Sequence, residues 1–433
     1  MNDGARCLRV AVATLLGGLT AAAIWVAALA LVAAAVLGRV FRLPPWRLLR
    51  LLFSPLAGTV DPELADRVEW ALDEFAQHTA KPPHRLWFNT AKPHDPQRRT
   101  HAVWLTPLQP RPLNNPGVPK REHHVRAAIL VGGNCQTWAD MVEEAKFLLN
   151  HGIYVLSLTL SGYPDVDEQY DGPLGRLNWT PTEASMLADG VAAMRWLTGT
   201  SWPKDGVGPH GLVMDLHGTG CGIAPHEVMV EGHSLGSCLA HLLGAWIPEM
   251  AVTVVQPLKS IGSVGGYAAT NAVVDVLWAV APVSGMRKRY VAMVHPPLRW
   301  AARAVSMLAY DGEGLEAYDR TSAVPSGEWE TDDRMRLLRG FNATRAVETG
   351  CGPYCVIESA FDNLMALQTD DDPNKPFTNN FAQDLMTKAK DAGAKNGVAR
   401  KVCKIRSQRA GHGTAYYHYT DSRTRYNDWL KGI

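Results

Sequence analysis

The pentapeptide Gly232-His233-Ser234-Leu235-Gly236, with its flanks, restricts the fold more than any other stretch of the chain. Val228 to Val230 reads as a short buried strand, and Leu235 to Trp246 reads as a helix. A chain that passes from strand to helix within a residue or two must bend sharply. Side chains at the positions flanking the bend would collide with neighbouring backbone, so glycine stands there, and Ser234 is left strained at the apex. The helix that follows points its N-terminus at that serine, with its N–H groups and the positive end of its dipole.

Strands and helices alternate around this point. His101 to Leu105 and Arg85 to Asn89 are short candidate strands. Val125 to Val131 and Ile153 to Leu160 are near-continuous apolar runs, as buried parallel strands should be. Between them Trp138, Met141, Ala145 and Leu148 recur on one face of a helix over Thr137 to Asn150, which Gly152 ends. Thr180-Pro181-Thr182-Glu183 is a capping box with proline at the first helical position, starting a helix that runs to about Leu197. Val274 to Ala281, Tyr354 to Ile357 and Lys401 to Ile405 are further expected strands, and Phe381 to Ala394 is an amphipathic helix. Val68, Leu72 and Phe75 share one face of a helical connector over residues 54–84. This alternation predicts an α/β fold with a mostly parallel central sheet covered by helices on both faces.

Composition agrees. Of 433 residues, 46% are hydrophobic and 20% charged, which excludes a disordered chain and supports a large core. Lys plus Arg number 43 against 42 Asp plus Glu, so charge gives no reason to expect nucleic acid as a partner. No repeat of solenoid or propeller length is present. Seven cysteines are too few for a disulfide scaffold. Cys351 and Cys355 form a C-x3-C pair without the second pair a zinc site needs, so they read as ordinary buried thiols and no metal is expected.

The N-terminus is of another kind. No charge occurs between Arg9 and Arg39, and Val10 to Gly38 is rich in Ala, Leu and Val. About 20 apolar residues span a bilayer core, a signal-peptide core is shorter, and a core helix would carry a polar stripe. A single transmembrane anchor is therefore expected, with the lipid bilayer as partner through residues 10–38. Arg39, Arg42, Arg47 and Arg50 after the span outweigh Arg6 and Arg9 before it, which favours a cytosolic body. The Asn178 and Asn342 glycosylation sequons speak for the other side, and such tripeptides arise often by chance. Residues 1–53 are thus an anchor with an interfacial segment, 54–84 a connector, and 85–433 the folded body.

With these residues in view, the body over residues 85–433 resembles the α/β-hydrolase fold family of serine hydrolases. The resemblance implies a triad in chain order serine, acid, histidine. Tyr354-Cys355-Val356-Ile357-Glu358-Ser359-Ala360-Phe361-Asp362 is similar to the family's acid-bearing strand and loop, and Ala410-Gly411-His412-Gly413 to its histidine loop. Ser234 would attack an acyl carbon, His412 would take and return its proton, and Asp362 would hold the imidazole tautomer. Asp370, Asp371 and Asp372 compete with Asp362 from a polar run, and His418 competes with His412. Position at a strand end favours Asp362, and flanking glycines favour His412.

The family's oxyanion hole would draw on the Leu235 N–H and on the loop Gly132-Gly133-Asn134-Cys135, with Asn134 N–H as donor and Cys135 as alternative. His217 to Gly222 is glycine-rich but stands in the wrong topological place. Glu231 departs from the family, where an apolar residue is usual; a carboxylate there must find a partner or hold a raised pKa. Residues 286–350 are too long for a simple connection and are expected to form a helical cap. The implied activity is hydrolysis of an acyl ester, a lipid or lipophilic one, without metal or organic cofactor. A catalytically silent interaction module and a peptidase or thioesterase are the alternatives.

Overall fold

The computed structural model describes residues 21–30, 63–89, 99–111, 125–134, 136–160, 163, 183–199, 221–258, 343–361, 381–395, 397–411 and 419–433, with single positions near the N-terminus. The described body opens with helix α1 (Leu64–Ala76). Strands β1 (His84–Asn89), β2 (Arg99–Leu105) and β3 (Ala127–Val131) follow. A 3-10 turn (Trp138–Met141) leads into α2 (Val142–Leu149), then β4 (Tyr154–Thr159) and α3 (Glu183–Thr198). Next come β5 (Val228–His233), α4 (Leu235–Trp246), β6 (Ala251–Val255) and α5 (Ala343–Thr349). The chain closes with β7 (Tyr354–Phe361), α6 (Phe381–Lys395), β8 (Val402–Gly411) and α7 (Thr420–Lys431).

The strands form one eight-stranded sheet in the order β1-β2-β4-β3-β5-β6-β7-β8. β2 is antiparallel to both its neighbours, and every pairing from β4 to β8 is parallel. The register puts Ile129 beside Val230, Val230 beside Val252 and Val252 beside Tyr354. Alternate residues of each strand face opposite layers. Val228 and Val230 join the core with Leu239, Leu243 and Leu385, under α3, α4, α5 and α6. Met229 joins the core with Phe75, Leu148 and Tyr426, under α1, α2 and α7. Helices thus cover both faces, as the continuous apolar runs in β3 and β4 require.

The expected helix from Thr137 begins as a 3-10 turn instead. The Asp140 carboxylate accepts both the Thr137 N–H (2.7 Å) and the Thr137 hydroxyl (2.9 Å), which tightens the first turn. Two elements have no counterpart in the sequence reading: β6 and α7. The place of the next central strand, expected at Val274 to Ala281, is filled by β6, whose five residues are all buried. Residues 274–281 lie outside the described residues, as do the capping box Thr180 to Thr182, the first sequon, Asn342 of the second and residues 286–342 of the expected cap. The last part of that expected cap, α5, buries Ala343, Ala346 and Val347 in the core with α4 and α6. Among the described residues, no helix is long and apolar enough to cross a membrane.

Candidate active site

The strand-to-helix bend lies between β5 and α4. Ser234 has φ 51° and ψ −111°, a conformation rarely taken by a residue with a side chain. Its N–H still donates to Val255 O at 2.9 Å, so the sheet holds the serine until the chain turns. Neither flanking glycine has positive φ. Both are needed for space: a Cβ on Gly232 would lie 2.2 Å from Gly236 O, and one on Gly236 would lie 2.3 Å from Val131 O. Gly236 N–H donates to Gly132 O at 3.1 Å, fastening the first turn of α4 to the end of β3. The Ser234 carbonyl accepts the Ser237 N–H at 3.0 Å and the Ser237 hydroxyl at 2.5 Å; that hydroxyl also accepts the Leu258 N–H at 3.0 Å. Ser234 is 6% exposed, with Leu235 and the rest of the first turn of α4 buried behind it.

The loop after β3 comes against the serine. A Cβ on Gly133 would stand 3.2 Å from Ser234 Cβ. Gln136 folds this loop into a turn: its N–H donates to Gly133 O (3.2 Å) and its Oε1 accepts the Gly133 N–H (2.5 Å). Asn134, at the tip, accepts the Tyr163 hydroxyl on Oδ1 at 2.6 Å.

A line of side chains absent from the sequence reading continues from this turn. His233 Nδ1 lies 3.3 Å from Gln136 Oε1, and His233 Nε2 lies 2.8 Å from Gln256 Oε1. Gln256, just past β6 with φ 49°, donates from Nε2 to Ser359 Oγ at 2.6 Å. These contacts join residues 97, 23 and 103 positions apart, so no local motif could have announced them.

Glu231, two residues before His233 on the same face of β5, finds its partner in α7. It is buried, and the Tyr426 hydroxyl of α7 donates to its Oε2 at 2.5 Å. Burial first, then the Glu231 charge, pushes the Tyr426 phenol well above its ordinary value, so it stays a donor. The register continues the polar row from Glu231 to Thr253, Cys355 and Cys403. Burial and the neighbouring Cys403 raise the Cys355 thiol, while the hydrogen bond from Cys355, with Arg425 and Lys401 nearby, lowers Cys403 to about 7.

Of the expected catalytic set, Ser234 and Leu235 stand at the elbow, and Asn134 follows Gly133, the residue that comes against Ser234. Asp362 and His412 lie outside the described residues, as do Cys135, Asp370 to Asp372 and His418. The residues just before Asp362 and His412, however, are register partners: Phe361 at the end of β7 pairs with Gly411 at the end of β8. Among the described residues, no group of three His, Cys, Asp or Glu side chains could hold a metal ion.

A sheet of this order with a serine on a strained turn after β5 decides the architecture. The fold is α/β-hydrolase-like. No protein-family model matches the chain, and no curated protein does. Similar solved structures include the esterase Pf2001 of Pyrococcus furiosus, 13% identical over 81% of this chain and 91% of that one, with a TM-score of 0.40. Acetyl xylan esterase 1 of Thermoanaerobacterium sp. is 13% identical over 88% of this chain and 97% of its own, with a TM-score of 0.35. The α/β hydrolase GrgF of Penicillium sp. is 12% identical over 81% and 97%, with a TM-score of 0.38. These likenesses are faint, and the fold stands on the strand order and the elbow.

Proposed function

We propose that the protein is a serine hydrolase that cleaves an acyl ester through an acyl-enzyme on Ser234. The observation that carries this reading is the elbow itself: a positive-φ serine between two glycines that tolerate no side chain, at the N-terminus of α4. His412 accepts the Ser234 proton as the hydroxyl oxygen bonds to the acyl carbon, then delivers that proton to the leaving alcohol. Asp362 orients the imidazole and stabilises its cation. The N–H groups of Leu235 and Asn134 receive the oxyanion. Water then repeats the sequence and frees the acid. Pairing of Phe361 with Gly411 supports the Asp362–His412 assignment, because each residue directly follows one of two adjacent, parallel strand ends.

In the same reading, residues 10–38 anchor the chain in a bilayer, the body lies on the cytosolic side, residues 286–342 cap the site, and the ester is lipophilic. What supports the anchor is the uncharged run itself, together with residues 21–30, which are helical and carry Val26 and Leu29 at 68% and 53% exposure. The interaction-module alternative rests on Glu231 and on the glycine-rich stretch His217 to Gly222; the Tyr426 bond gives Glu231 a partner, while residues 217–220 lie outside the described residues.

A fluorophosphonate probe tests the reaction class. The wild-type chain is expected to label, and Ser234→Ala to lose all labelling. Undiminished labelling in Ser234→Ala would remove Ser234 as nucleophile.

A further inference from the structure

Beside Ser234, four polar side chains connect the turn after β3 to the strand that ends next to Asp362. Gln136 Oε1 takes the Gly133 N–H at 2.5 Å and faces His233 Nδ1 at 3.3 Å. His233 Nε2 faces Gln256 Oε1 at 2.8 Å, and Gln256 Nε2 donates to Ser359 Oγ at 2.6 Å. One end of the line is therefore the turn whose Gly133 sits against Ser234. The other end is Ser359, in the last residues of β7.

We propose that His233 is a positioning residue: it holds the Gln136 side chain, and through it the Gly133–Gln136 turn that presents the Asn134 N–H, in fixed register with Ser234. The inference rests on the serine-hydrolase reading above. Two donors converging on Gln136 Oε1 fix a side chain that is only half-buried and has water as its competitor. His233 stands one position before the nucleophile on β5, so it moves with the nucleophile. Gln256 buttresses the ring from the far side and is itself buried. Carbonyl oxygens face both ring nitrogens. A ring carrying N–H at both positions satisfies them. So does a rotated Gln256 amide, whose NH2 donates to Nε2 while its oxygen accepts the Ser359 proton. Either arrangement keeps the four side chains joined.

The consequence is kinetic. An oxyanion donor acts on charge that exists only in the transition state, so misplacing it lowers kcat and leaves ground-state binding nearly intact. Displacements of about 1 Å in a catalytic group cost up to about a hundredfold.

The test is hydrolysis of p-nitrophenyl butyrate by the full-length chain in detergent, with fluorophosphonate labelling and thermal unfolding measured in parallel. Gln136→Leu is expected to lower kcat roughly tenfold to a hundredfold, with KM changed less than about threefold. Gln136→Glu keeps an acceptor for the same two donors and is expected to recover to within about threefold of wild type. His233→Leu should match Gln136→Leu, and the double variant should lose no more than the worse single one, because the two residues act as a unit. Losses that multiply, a loss in KM with unchanged kcat, a Gln136→Glu no better than Gln136→Leu, or variants within about twofold of wild type would overturn the proposal. If His233→Leu fails to fold, the two Gln136 variants decide alone. A wild-type chain that does not label at Ser234 would overturn the hydrolase reading and the proposal together; a labelled wild type with unaffected variants would overturn the proposal only.

Discussion

At Ser234 the backbone takes a conformation that costs a residue with a side chain about 1–3 kcal/mol, and contacts on three sides hold it there. Val255 O takes its N–H, Ser237 takes its carbonyl, and Gly236 is fastened to Gly132. Gly232→Ala would drive a Cβ to 2.2 Å from Gly236 O, which is backbone and cannot step aside. We expect that variant to lose about 3 kcal/mol or more in denaturant unfolding, and its Ser234 labelling with it. A second residue-scale prediction concerns His241, a buried residue of α4 with Nε2 2.7 Å from the Tyr354 hydroxyl. Burial, aided by the Arg400 charge, lowers its pKa to about 3. The ring is neutral when folded but titrates near about 6.5 when unfolded, so its contribution is complete above that pH and is lost as pH falls toward 3. Over that window His241 should add about 1.4 kcal/mol per pH unit to the acid loss, and His241→Gln should flatten the slope by that much. The elbow was legible because its signal is local, glycine at both flanks of one serine. The Gln136–His233–Gln256–Ser359 line was not, because only the sheet brings its members together.

Among the elements, those with a continuous apolar run or a clear helical period are legible in the sequence: β3, β4, α4 and the amphipathic α6 fall where the pattern places them. The strand β6 is a weak signal in the sequence, because it has only five residues shortly after α4, and the apolar run at 274–281 is longer. The helix α7 is faint in the sequence because Thr420–Lys431 is largely polar; Ser422, Tyr426, Trp429 and Leu430 are its buried residues. Its seat is nonetheless specific. Arg111 donates to the carbonyls of Leu430 (2.8 Å) and Ile433 (3.2 Å), and also to those of Val125 and His151, tying the C-terminus to the sheet. The Tyr426 hydroxyl joins this helix to the buried Glu231 of β5. Tyr426→Phe withdraws that donor from a buried carboxylate and should lower unfolding stability by about 1–3 kcal/mol, read by urea denaturation. An unchanged midpoint would mean that Glu231 is held by other groups.

For the whole molecule, sheet order and helix placement yield a body whose site stands at the C-terminal edge of the parallel strands, where β5, β7 and β8 deliver their following loops. That edge is where open α/β sheets bind ligands. The uncharged N-terminal run is separate from this body in sequence, and the membrane reading makes a separable prediction. A chain beginning at residue 54 should remain in the supernatant after carbonate extraction and still label at Ser234, while the full chain should stay in the membrane pellet. A full chain that enters the supernatant would contradict the anchor without touching the chemistry. The chemistry itself is tested most directly by acid quench during turnover of p-nitrophenyl butyrate, followed by peptide mass mapping. The account predicts a burst of about one equivalent of acyl group per chain, carried on Ser234 within Gly232–Gly236. Steady turnover with no acyl adduct, or an adduct mapped to another side chain such as Ser237, would contradict it.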